Sequence, residues 1–176
     1  MSYRYSEKKD LERTAIQLFI DIYNCNYESK YRLLYMQEQP DSVIEDENRN
    51  KLGVEITHLF YDASEAKRIL GRSKHKTKTD KDLSQLIKEL NGLLTTKEEK
   101  KQLYSGEYPI SLLIRNMSSL YRMSDIIAAY KHIKIPQGEF KDVWFLSRGA
   151  TNEWLLYNLN RLEKLHKGED PGIIKC

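Results

Sequence analysis

The chain is poor in the features that would fix its class at a glance. It has two cysteines in 176 residues, Cys25 and Cys176. They lie far apart and offer no partner spacing for zinc or a redox pair, so a reducing, intracellular compartment is the expectation. Charge of one sign is scarce too: 29 basic against 26 acidic residues leave a net charge of +3. A nucleic-acid partner must therefore be argued from local clustering rather than from the whole-molecule balance. No apolar run approaches membrane-spanning length, and the opening "MSYRYSEKKDLER" has no apolar signal core. A cytoplasmic protein with no membrane partner is the expectation. There is no repeat, no low-complexity segment, and no zinc-finger, helix-turn-helix or RNA-recognition signature.

What is present is a mixed pattern of helix and strand periods. At 40% apolar content, residues 1–176 suffice for a single domain. "DLERTAIQLFIDIYN" places Leu11, Ala15, Leu18, Phe19 and Ile22 on one helical stripe, with Glu12 at its margin. "KYRLLYMQEQ", "PDSVIED" and "KLGVEITHL" read as strands, the last two joined by the hairpin connection "ENRN". A helical region follows, broken near Gly71, restarted at a cap between residues 79 and 82, and ended near Gly106. "YPISLLIRN" reads as a strand covered on both faces, "SSLYRMSDIIAAYKHIKIP" as a helix stopped by Pro136, and "KDVWFLSRG" as another buried strand. "TNEWLLYNLNRLEKLHKG" reads as a terminal helix. The fold class is α/β, with a mixed central β-sheet flanked by helices.

Two acids stand out on the expected hairpin. Asp41 follows Pro40 at the start of one strand, and Glu55 interrupts the apolar run "LGVEITHLF" of the next. A central strand rarely carries a carboxylate without a partner, although on a solvent-facing side Glu55 and Thr57 would be ordinary outward residues. With the element order, Pro40-Asp41 and Glu55-x-Thr57 resemble the PD-(D/E)XK, or restriction-endonuclease-like, nuclease superfamily. The resemblance spans roughly residues 10 to 148 and implies an αβββαβ core. It implies that Asp41 and Glu55 are ligands of Mg2+ or Mn2+, that the Ile56 carbonyl completes the protein's share, and that Glu12 can add an acid from the first helix.

The sequence departs from that pattern at Thr57, which stands where the family has a catalytic lysine. A hydroxyl cannot supply the positive charge that steadies a phosphate in hydrolysis. Lys78, Lys81 and Lys88, on the element after Glu55, are the candidates to replace it. "KRILGRSKHKTKTDK", with Lys74, Lys76, Lys78 and Lys81, carries enough positive charge to meet several phosphates, and Lys88 beyond it is a further nucleic-acid-binding candidate; a solvated linker is the alternative. The functional expectation is a metal-dependent nuclease hydrolysing DNA phosphodiester bonds, with a homodimer as the form that would cut two strands. The alternative is a catalytically impaired nucleic-acid-binding or protein-interaction module on the same fold.

Overall fold

A computed structural model describes residues 3–71, 82–104 and 106–176. Lys74, Lys76, Lys78 and Lys81 lie outside the described residues. The chain opens with helix α1 (Tyr3–Asn26), followed by strands β1 (Tyr31–Met36), β2 (Ser42–Asp46) and β3 (Lys51–Leu59). Helices α2 (Ala63–Ile69) and α3 (Leu83–Lys101) lead to β4 (Ile110–Asn116). The short α4 (Met123–Ala128), strands β5 (Val143–Arg148) and β6 (Trp154–Asn158), and α5 (Leu162–His166) complete the described elements.

The strands form one six-stranded sheet in sequence order. β1, β2 and β3 are antiparallel neighbours, β3, β4 and β5 run parallel, and β6 returns antiparallel to β5. Each parallel step needs a crossover, and α2 with α3 supplies the first and α4 the second. Side-chain alternation sorts the core into two layers. Val54, Ile56, Leu113, Trp144 and Leu146 pack under α1 through Ile16 and Phe19. Leu112, Ile114, Val143 and Phe145 point the other way, toward Leu86, Leu90 and Leu94 of α3 and Ile126 of α4. The sheet is therefore sandwiched, which is why β4 and β5 read as almost unbroken apolar runs.

Three expectations need correction. The tail is not a helix at its start: Trp154–Asn158 is an edge strand, and only Leu162–His166 is α-helical. "WLLY" is apolar at every position because Leu155 and Tyr157 pack on the α3 face while Trp154 and Leu156 pack on the α1 face. Such a run has no period to tell strand from helix. The expected helix before Pro136 shrinks to six residues plus a 3-10 turn at Tyr130–His132, since Asp125 caps it at the Arg122 N–H. Finally, Cys25 and Cys176, the basis for expecting a reducing compartment, are paired. The end of α1 and the chain terminus bring their Cα atoms to 5.6 Å, and they form a disulfide. Among the described residues, no helix is long and apolar enough to cross a membrane.

Candidate functional site

β3 is longer than the strand it pairs with. Ser42 of β2 faces Val54, and residues beyond Val54 have a strand only on the β4 side. The open edge is filled by the loop entering β2 and by the first half of α1, and between them lies a cleft of about 380 Å³. Extending the β2–β3 register by one step sets Asp41 opposite Glu55. The fold thus makes the two acids a cross-strand pair at the lip of the ladder. Both are buried, Asp41 to 3% exposure and Glu55 to 6%.

Asp41 Oδ2 accepts the Ile56 N–H at 2.8 Å. The N–H and C=O of a strand residue lie on the same edge, so the Ile56 carbonyl also faces the cleft. Burial, and then the Glu55 charge beside it, push the Asp41 carboxyl up from 3.8 to about 7; the Ile56 hydrogen bond acts against them. Glu55 is paired on one oxygen only. Its Oε1 accepts from Lys97 Nζ at 2.7 Å, whereas Oε2 is buried with no hydrogen-bond partner. Tyr104 lines the same wall, and burial followed by the Glu55 charge raises its phenol.

The sequence offers Glu12 as a candidate acid for this site but does not point to Lys97. Glu12, expected at the margin of the α1 stripe, is 1% exposed and lines the cleft. It heads the buried side of α1, at helical spacing from Ile16 and Phe19, and is held by Lys8 and Lys9, each at 3.1 Å. Lys97 is far from Glu55 in sequence, so no local motif joins them. Its signal is that it continues the buried α3 stripe Leu86, Leu90, Leu94 by one further turn. Thr57 lines the cleft beside Glu55, as alternation requires. Lys88 is exposed and borders a different cleft, with Asp82 and His132, so it does not meet the two acids.

His58 also lines the cleft. Burial, reinforced by the Arg115 charge, lowers it to about 4, and its Nε2 is buried without a hydrogen-bond partner. Among the described residues, no three His, Cys, Asp or Glu side chains cluster closely enough to form a ready-made metal site. The cleft offers two paired carboxylates, a backbone carbonyl, a third acid on α1 and an ammonium on α3. Comparison with family models, curated proteins and solved structures returns no match.

Proposed function

We propose that the chain is a metal-dependent nuclease of the PD-(D/E)XK type, with Asp41 and Glu55 as metal ligands and Lys97 as the cation that Thr57 does not provide. The observation carrying this reading is the Lys97–Glu55 contact at 2.7 Å. It puts an ammonium from the crossover helix beside the acid that the resemblance assigns to the metal. The element order α1, β1, β2, β3, α3, β4, with an antiparallel hairpin running into a parallel pair, supports the restriction-endonuclease-like core.

The donor set suits magnesium, which is commonly bound through one or two carboxylates and keeps several waters. The lack of a three-acid cluster among the described residues is compatible with that mode. Two features of the cleft favour a divalent cation: the buried, unbonded Oε2 of Glu55 and the Asp41 carboxyl held up by its acidic neighbour. Asp41, Glu55 and the Ile56 carbonyl would hold the ion, with Glu12 nearby. When bound, it would lower the pKa of a water and offset charge on the phosphate. The protein's part is positioning. The Ile56 N–H fixes the Asp41 carboxylate, Lys97 presents a cation to a phosphate oxygen, and the hydroxyls of Thr57 and Tyr104 can orient water.

The assay is cleavage of plasmid and linear DNA with Mg2+ or Mn2+. Cleavage that disappears in Asp41→Asn, Glu55→Gln and Lys97→Met is expected; cleavage indifferent to all three refutes the assignment. One observation favours the second reading, a binding module without catalysis. Lys97 already occupies Glu55 Oε1, and a lysine that never yields that oxygen would keep metal out. Salt-sensitive DNA retention with no cleavage would identify that case.

A further inference from the structure

A second pocket, of about 260 Å³, opens at the ends of β4 and β5 and is lined by Arg115, Arg122 and Arg148 with Trp154. Three guanidinium groups converge here, and none has an ion pair with a carboxylate among the described residues. Their existing contacts fix them in place. Arg148 lies 3.9 Å from the centroid of the Trp154 indole and Arg115 lies 5.0 Å from it. Arg148 Nη1 donates to the Asn152 carbonyl at 2.6 Å, and Arg122 Nη1 donates to the Gly149 carbonyl at 3.0 Å and Asn152 Oδ1 at 3.1 Å. The nearby acids are engaged elsewhere. Asp125 accepts the Arg122 backbone N–H, Glu153 accepts from Thr151, and Glu65 accepts from the Tyr61 N–H and the Ser118 hydroxyl.

Arg115 is the telling member. Its Nε and Nη1 are buried with no hydrogen-bond partner. Burial, and then the Arg148 charge, lower its pKa; burial, and then Arg122, lower that of Arg148. Arg115, Arg122 and Arg148 are partly buried, and a partly desolvated guanidinium with buried N–H groups and no counter-charge is costly. A bound anion offsets that cost. Planar guanidinium forks suit tetrahedral oxyanions, which take several N–H groups at once. With both guanidinium groups against the indole, the pocket offers charge rather than a free stacking face.

We propose that this arginine pocket binds a phosphate group, carried by a nucleotide or by a nucleic-acid strand, at a site distinct from the Asp41–Glu55 cleft. His58 of the cleft and Arg115 of the pocket are register partners on β3 and β4, so the two sites flank one rung of the sheet. The inference stands on the arginines alone and does not require the nuclease reading.

The test is calorimetric titration of the full chain in EDTA at low salt with inorganic phosphate, then with a short oligonucleotide bearing a 5′-phosphate or a 5′-hydroxyl. Wild type should bind phosphate, Arg148→Met and Arg115→Met should weaken it about tenfold or more, and Arg148→Lys should lose less because charge remains. A preference for the 5′-phosphorylated strand identifies a terminal phosphate. Equal binding of both strands, lost in Arg148→Met, identifies an internal phosphodiester. Thermal melts guard against misfolded variants, because phosphate should raise the wild-type melting temperature above that in chloride of equal ionic strength. Absence of phosphate binding by wild type, or binding unchanged in the arginine variants, overturns the proposal. EDTA keeps the metal cleft idle, so failure here is separable from failure to cleave DNA.

Discussion

Replacing Asp41 by Asn should make the protein more stable at pH 8 and leave it nearly unchanged at pH 4. The folded carboxyl titrates at about 7 rather than 3.8, because it is buried beside Glu55. The native state therefore holds that proton more tightly than the unfolded chain does. Stability then falls as pH rises from 3.8 toward 7, and the full penalty persists above that. At about 1.4 kcal/mol per pKa unit, the cost reaches ~4 kcal/mol. An asparagine keeps an oxygen for the Ile56 N–H but carries no charge, so it escapes the penalty. With part of the cost relieved by relaxation, a gain of about 2–4 kcal/mol corresponds to roughly 5–15 °C in melting temperature for a chain of this size. Circular-dichroism melts from pH 4 to pH 9 in EDTA would measure it. Asp41→Asn melting below wild type at pH 8, or a gap that does not change with pH, would refute the reasoning. In wild type, Mg2+ should recover part of the loss at pH 8, and in Asp41→Asn it should recover much less.

If the chain is the proposed nuclease, Lys97→Met should lower the DNA cleavage rate by about 10²- to 10³-fold, as loss of one charge-stabilising group does. Mn2+ binding should be retained or tightened, because Glu55 Oε1 is released; equal losses of binding and rate would point to a structural role, and calorimetry beside single-turnover cleavage separates them. Gly53→Ala would bring a methyl to 2.7 Å from Pro40 Cγ and 3.0 Å from the Tyr108 ring. An overpacking cost of about 1–3 kcal/mol should appear in urea unfolding, together with slower cleavage because Pro40 carries Asp41. Reducing the Cys25–Cys176 bond, which closes a loop of 151 residues, should lower stability by about 2–4 kcal/mol, read as a drop in melting temperature on adding dithiothreitol.

The sequence made the hairpin readable because a turn-rich connection separates two short apolar runs, and the alternation of side chains along any strand sets Glu55 and Thr57 on one face. Asp41 was readable as a strand-start acid. The lysine beside Glu55 was not, since Lys97 meets Glu55 only through the packing of α3 on β3. Yet Glu12 and Lys97 share one trace. Each is a charged residue in register with a buried apolar stripe, at the turn of its helix that reaches the cleft. The tail misled for the opposite reason, since a strand covered on both faces shows no alternation. The disulfide was out of reach because its two residues are joined only by the fold.

The most direct test of the metal-dependent reading is anomalous diffraction from crystals soaked in Mn2+. One peak coordinated by a carboxylate oxygen of Asp41, one of Glu55 and the Ile56 carbonyl, with Lys97 moved off Glu55, is the predicted result. A cleft with no peak at saturating Mn2+ and the Lys97–Glu55 pair intact would contradict it.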